Sequence, residues 1–123
     1  MFLDHIQLAI PKGKEEESRA FWIGIMGMVE ESKPSPLDKR GGCWFRKGGT
    51  NLHCGVEVNF APQRKAHPAF VVDRLEDLAK LLEEKGYPVT WDTALADRHR
   101  FYTEDPFGNR LEFMKEGDGF SQR

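Results

Sequence analysis

The chain writes one programme twice. LDHIQLAI (Leu3 to Ile10) alternates in the manner of a half-buried strand. EEESRAFWIGIMGM reads as a helix, with glutamates in its first turn, where the helix dipole favours them, and Gly27 as its stop. GGCWFRKGG and TNLHCGVEV read as strands separated by a glycine turn. After NFAPQRK the order restarts. HPAFVVD is a strand, and RLEDLAKLLEEKG is a helix with Leu75, Leu78, Leu81 and Leu82 on its apolar stripe and Gly86 as its stop. YPVTWDT is a short strand broken by Pro88, RHRFYTED is another, PFGN is a turn and RLEFMK is the last strand. An internal repeat of about sixty residues limits the fold severely. It predicts an α+β architecture: two βαβββ modules, about 1–60 and 65–118, in one domain spanning 1–123. Together they would form a cupped mixed β-sheet with the helices on its outer face and a cavity on the other.

The repeat also superimposes side chains able to bind a metal. DHIQLAI falls on AHPAFVV, so His5 matches His67; GTNLH falls on GNRLE, so His53 matches Glu112. The spacings, 48 residues from His5 to His53 and 45 from His67 to Glu112, differ by no more than a loop absorbs. Strand parity gives a second test, because alternate residues face opposite sides of a sheet. Ile6, Leu8 and Ile10 belong under the helix, as do Leu52, Cys54 and Val56. Pro68, Phe70 and Val72, and then Leu111 and Phe113, do the same in the second half. His5, His53, His67 and Glu112 all fall on the opposite parity. Singly, a strand histidine is more often a satisfied core or surface residue than a ligand; matched position and parity together favour a shared site. Imidazole and carboxylate suit one divalent ion such as Zn, Fe(II), Ni, Co or Mn. Clustering them in a cavity without an ion would be costly.

Other residues carry weaker signals. Gln7 shares the face of His5 and is read as a supporting partner, a substrate-facing group or a solvated one. Glu57 shares the parity of His53 and is the substitute carboxylate if the register differs. Trp44, Arg46, Arg100 and Tyr102 are the candidate substrate-binding lining; Arg100 suits a carboxylate or phosphate, or is simply solvated. Trp91 reads as a stacking platform or as packing, and Trp22 as core. His99 lies in a basic stretch and is expected at the surface. SKPSPLDKRGG reads as a loop. Cys43 and Cys54, eleven apart, form no CxxC pair and read as small buried thiols.

Composition excludes several functions. A net charge of −2 with no basic stripe argues against nucleic acid. No apolar run approaches the ~18 residues of a membrane span. The start, MFLDHIQLAI, lacks the basic region and cleavage site of a signal peptide, so a cytoplasmic location is expected.

Together, LDHIQLAI, SRAFWIGIMGM, HPAFVVDRLEDLAKLLEEKG and above all FYTEDPFGNRLEFMK resemble the vicinal oxygen chelate superfamily, which contains glyoxalase I, extradiol dioxygenases, fosfomycin-resistance transferases and bleomycin-resistance proteins. The similarity covers nearly the whole chain. It implies ligand positions at His5, His53, His67 and Glu112. Glyoxalase-I-type sites use two histidines and two glutamates, and His53 departs from that pattern. A site of two histidines and one glutamate fits His5, His67 and Glu112, with His53 as a fourth ligand or a neighbouring acid/base. Glu112 and His53 are thus the candidate catalytic groups. The resemblance implies a metal-dependent enzyme on a small oxygen-bearing molecule (a lyase, isomerase, dioxygenase or thiol transferase), the ion acting as Lewis acid on a developing oxyanion. The alternative it implies is a metal-independent, antibiotic-sequestering protein of the bleomycin-resistance kind. A homodimer is expected from the resemblance in either case.

Overall fold

Strand pairing follows the repeat residue for residue. The computed structural model describes residues 1–94 and 99–115. Its backbone divides at the loop after Val56 into two units, Met1–Pro62 and Gln63–Arg123. The first holds β1 (Ile6–Ile10), α1 (Glu15–Trp22), β2 (Val29–Glu31), β3 (Cys43–Lys47) and β4 (Thr50–Val56). The second holds β5 (Ala69–Val72), α2 (Leu75–Glu84), β6 (Thr90–Asp92), β7 (Arg100–Glu104) and β8 (Arg110–Lys115). The sheet orders are β1-β4-β3-β2 and β5-β8-β7-β6, the same permutation twice. In each, the first strand runs parallel to the last and the other pairs are antiparallel. This is the α+β, twice-βαβββ architecture expected. Arg98, expected in the β7 strand, and residues 116–118 of the second module lie outside the described residues.

Each helix covers one face of its own sheet, α1 packing on β3 and α2 on β8. The expected parity holds at the strand centres, while Ile6, Pro68, Phe70 and Val72 are only half-buried and Glu112 and Met114 are buried on the opposite parity. Leu8, Ile10, Phe45, Leu52 and Cys54 are buried in the first unit with Phe21 and Trp22; Phe101, Leu111 and Phe113 are buried in the second with Leu75, Ala79 and Leu82. Burying each large side chain of this kind stabilises by roughly 1.5–3 kcal/mol. Val56, expected in the buried set, is 37% exposed because it ends its strand.

Helix ends follow their glycines. Gly86 sits at φ +88; its N–H donates to the Glu83 carbonyl and the Tyr87 N–H to that of Leu82, a Schellman closure. α1 is shorter than its sequence suggests. Beyond Trp22 the turns widen, Met26 N–H reaching back to the Phe21 carbonyl and Met28 N–H to that of Trp22, before Gly27 at φ +73. The polar loop between β2 and β3 contains one 3-10 turn, Leu37–Lys39. Lys33 Nζ donates to the Arg40 and Gly41 carbonyls, and the Gly42 N–H donates to Glu15 Oε2 at 2.8 Å. Strand β2 was not separately legible: its sequence, VEE, has no alternation to reveal it. Among the described residues no helix is long and apolar enough to cross a membrane.

Candidate metal centre and its surroundings

Register places the matched residues in equivalent rows. Across the first sheet, Gln7, His53, Trp44 and Glu31 are successive cross-strand partners. Across the second, the same row reads Ala69, Glu112, Tyr102 and Thr90. His5 and His67 stand two residues ahead of Gln7 and Ala69, each just before its strand begins. The deduced equivalence of His53 with Glu112 therefore has a backbone counterpart, and it makes Trp44 the equivalent of Tyr102.

In the second unit this row becomes a charged network. The Glu112 N–H donates to the Pro68 carbonyl, which fixes the start of β8 beside His67. His67 Nε2 lies 3.0 Å from Glu112 Oε1, and His67 Nδ1 lies 2.8 Å from the Lys65 carbonyl. A carbonyl only accepts, so Nδ1 carries a proton. With a neutral ring, Nε2 would then present its lone pair to a carboxylate oxygen, two acceptors face to face. A cation has to stand between them: a proton on Nε2, or a metal ion in its place. The donor set fits a divalent metal on this ground, and the Nδ1 bond to a carbonyl is the usual orienting partner of a ligating histidine.

The other carboxylate oxygen, Glu112 Oε2, accepts from Arg100 at 3.2 Å. Arg100 also grips Asp92 Oδ2, through Nε at 3.0 Å and Nη2 at 2.7 Å. Glu112 is consequently buried despite facing away from α2, its side chain 6% exposed. Tyr102 meets the His67 ring edge-on at 5.6 Å. Arg100 is thus occupied by two carboxylates rather than left open for a substrate. Asp92 was missed in the sequence. Its position opposite Arg100 on β6 is a register fact, and no periodicity in so short a strand announces it.

The first unit builds something different from equivalent positions. His53 lies flat between two rings: Trp44 at 4.0 Å and 5°, and His5 at 4.1 Å and 19°. His5 Nδ1 also meets Asp4 Oδ2 at 2.9 Å. Imidazole lone pairs lie in the ring plane. Two nearly parallel planes about 4 Å apart share no nearby point at which both nitrogens could hold one ion. As stacked, His5 and His53 do not converge; one ring must rotate to ligate with the other. His53 is held below the usual imidazole range, first by burial and then by the charge of His5. Arg46, on the same face, pairs with Glu31 at 3.3 Å. Gln7 lies over Gly55, where a Cβ would come within 2.7 Å of its amide nitrogen. Glu57 is exposed beyond the end of β4.

Neither unit, among its described residues, contains three His, Cys, Asp or Glu side chains grouped to hold an ion. Cys43 and Cys54 are buried thiols, not joined in a disulfide, directly opposite each other across β3 and β4. His99 is exposed, pairs with Glu76 at 3.0 Å and stacks on Trp91. Trp91 also meets Phe101 edge-on, so it serves packing at the sheet edge.

Solved structures resemble the chain along nearly its whole length. A protein of Bacillus anthracis described as of the glyoxalase family is 50% identical, with a TM-score of 0.88 and 94% of each chain covered. A glyoxalase/dioxygenase from Nostoc punctiforme, 21% identical, superimposes at a TM-score of 0.76 over 93% of this chain and 90% of its own. The fosfomycin resistance protein FosX from Listeria monocytogenes, 14% identical, gives 0.74 over 94% and 93%. The last two establish fold alone. No family model and no curated protein matches the sequence.

Proposed function

The chain belongs to the vicinal oxygen chelate superfamily, and on that premise we propose that it is a divalent-metal-dependent enzyme acting on a small oxygen-bearing molecule. The observation that carries this reading is the His67–Glu112 contact, which sets an oriented imidazole nitrogen against a buried carboxylate oxygen, a donor pair suited to a divalent ion. His67 and Glu112, side by side, are the proposed ligands, and His5 and His53 are proposed as further metal-binding positions. A metal bound there would supply Lewis acidity toward a developing oxyanion.

The protein's own residues do the rest. Lys65, through its carbonyl, holds His67 in the tautomer that frees Nε2. Arg100, braced by Asp92, fixes one oxygen of Glu112 so that the other points at His67. His53, kept neutral by burial, suits a proton-transfer role near neutral pH better than a charged one. The working assembly is proposed to be a homodimer, whose mass in solution would be twice 14.1 kDa.

Metal analysis of the protein purified without added ions tests the reading. Stoichiometric metal that disappears in His67→Ala and Glu112→Ala supports it. No metal under any loading condition, together with tight binding of a large cationic drug, overturns it in favour of a sequestering protein.

A further inference from the structure

Beside Glu112, on the same face of the second sheet, a cleft of about 280 Å³ opens between Arg64, Thr90, Tyr102, Glu104 and Arg110. Its place follows from register. Thr90 and Tyr102 continue the row of Glu112, and Arg110 stands two residues before Glu112 on β8, so both point the same way. The carboxylates of this face are already committed. Arg100 takes both Asp92 and Glu112. Glu104, the cross-strand partner of Arg110, turns instead to Arg64 at 3.2 Å. Arg110 alone of the three arginines has no carboxylate within ion-pair distance among the described residues.

It is nonetheless held in place. Its guanidinium carbon lies 4.0 Å from the centre of the Tyr102 ring. A guanidinium stacked on an aromatic face keeps its N–H groups in the plane of the stack, directed outward. That arrangement presents a planar fork matched to two oxygens of one anion. Arg64, exposed and only singly paired, flanks the same cleft.

We propose that Arg110, presented by Tyr102 and assisted by Arg64, binds an anionic group of the substrate, a carboxylate or a phosphoryl or phosphonyl group. The proposal deepens the function proposed above and rests on it for the identification of the ligand as substrate. Arg110 and Glu112 stand two residues apart on β8, roughly 7 Å between their Cα atoms. With the cleft's volume, this suits a small acid. Arg110, and not Arg100, is then the specificity-determining arginine.

The test uses full-length protein stripped of metal by chelation, so that its outcome is independent of metal content. Calorimetric titration compares succinate and acetate with inorganic phosphate and methylphosphonate. Saturable binding of either series is expected, weakened about tenfold or more in Arg110→Gln, the loss of a charge-assisted contact. Arg110→Lys is expected to retain part of the affinity, and Tyr102→Ala to lose much of it while Tyr102→Phe keeps it. Preference for one series identifies the anion as carboxylate or phosphoryl. Binding of neither series at millimolar concentration, or equal affinity in wild type and a folded Arg110→Gln, overturns the proposal. Metal loading lost in Glu112→Ala with anion binding unchanged by Arg110→Gln would sink this inference and leave the enzyme reading standing.

Discussion

His67 faces Glu112 at 3.0 Å with its far nitrogen already committed to a backbone carbonyl, so the contact is held together by whatever cation occupies it. Arg100 closes the other side of the carboxylate. Glu112 is therefore both a candidate ligand and the anionic centre of a buried network.

Removing that centre has a structural consequence separate from metal binding. Glu112→Ala leaves Arg100 with Asp92 alone and strands His67. Breaking a buried ion pair from one side costs about 3 kcal/mol, and the surviving Asp92 contact keeps the expected loss near or below that figure. Glu112→Gln keeps the shape and an acceptor, so it is expected to cost less than half as much. Urea unfolding of metal-free protein measures both; equal stability of Glu112→Ala and wild type would show that the network contributes nothing to folding.

The ring column in the first unit predicts a titration. Trp44 covers one face of His53 and His5 the other, and burial is the main cause of the lowered pKa. Trp44→Ala uncovers the ring, removes part of the penalty on its charged form, and is expected to raise the His53 pKa toward its ordinary 6.5. The same shift links to stability. A depressed folded-state pKa means that the unfolded chain takes up the proton first. His53's contribution is complete above pH 6.5 and is lost as pH falls through the folded-state value. Imidazole NMR shifts follow the titration directly. An unchanged or lower midpoint in Trp44→Ala would rule out burial by the stack as the cause.

How much of this was written in the sequence depends on whether the determinant is periodic. The apolar faces, the Leu75–Leu82 stripe, the Gly86 stop and the pairing of His53 with Glu112 all follow from a period of 2 or 3.6, or from the repeat. Rotamer and partner choices do not. Nothing in the sequence indicates that His53 stacks on Trp44 instead of turning its edge to an ion. Nothing assigns Arg100 to Asp92, because a three-residue strand carries no period that would fix its register. Arg110 had a usable signal, being two residues before Glu112 and so on its face. The repeat does not mark it, because its counterpart in the first half is Asn51.

Glu15 ties α1 to the loop ahead of β3 and should make the first unit acid-sensitive. The Gly42 N–H bonded to its carboxylate is the largest cause of a pKa lowered from 4.5. Here the folded state favours the ionised form. The stabilisation is present above pH 4.5 and disappears as pH falls through the folded-state pKa. Glu15→Gln is expected to flatten the stability profile below pH 4.5 while changing little at neutrality beyond a weakened acceptor. Chemical denaturation at a series of acidic pH values provides the comparison, and parallel profiles for the two proteins would refute the assignment.

The turn before β8 carries a carboxylate whose pKa is shifted in the opposite direction. Asp105 is buried, and burial is the first cause of its raised pKa, against bonds from the Asn109 side chain and the Phe107 and Asn109 N–H groups. Because the folded pKa exceeds 3.8, its contribution to stability is complete below that value and is lost as pH rises through the folded-state pKa. Asn109 limits that loss: Nδ2 donates to Asp105 Oδ2 at 2.8 Å, and Oδ1 accepts the Gln63 N–H at 3.0 Å. Asn109→Ala orphans both partners, at a cost of about 2–4 kcal/mol near neutral pH. It also pushes Asp105 further up, because the largest bond favouring its ionised form is gone. Below the raised folded-state pKa of Asp105 the carboxylate half of the penalty falls away. The destabilisation by Asn109→Ala is therefore expected to be smaller in acid, once Asp105 has taken up its proton, than at neutral pH. Equal losses at the two pH values would mean that Asn109 acts through Gln63 alone, and that the turn placing Glu112 on its strand does not depend on the charge of Asp105.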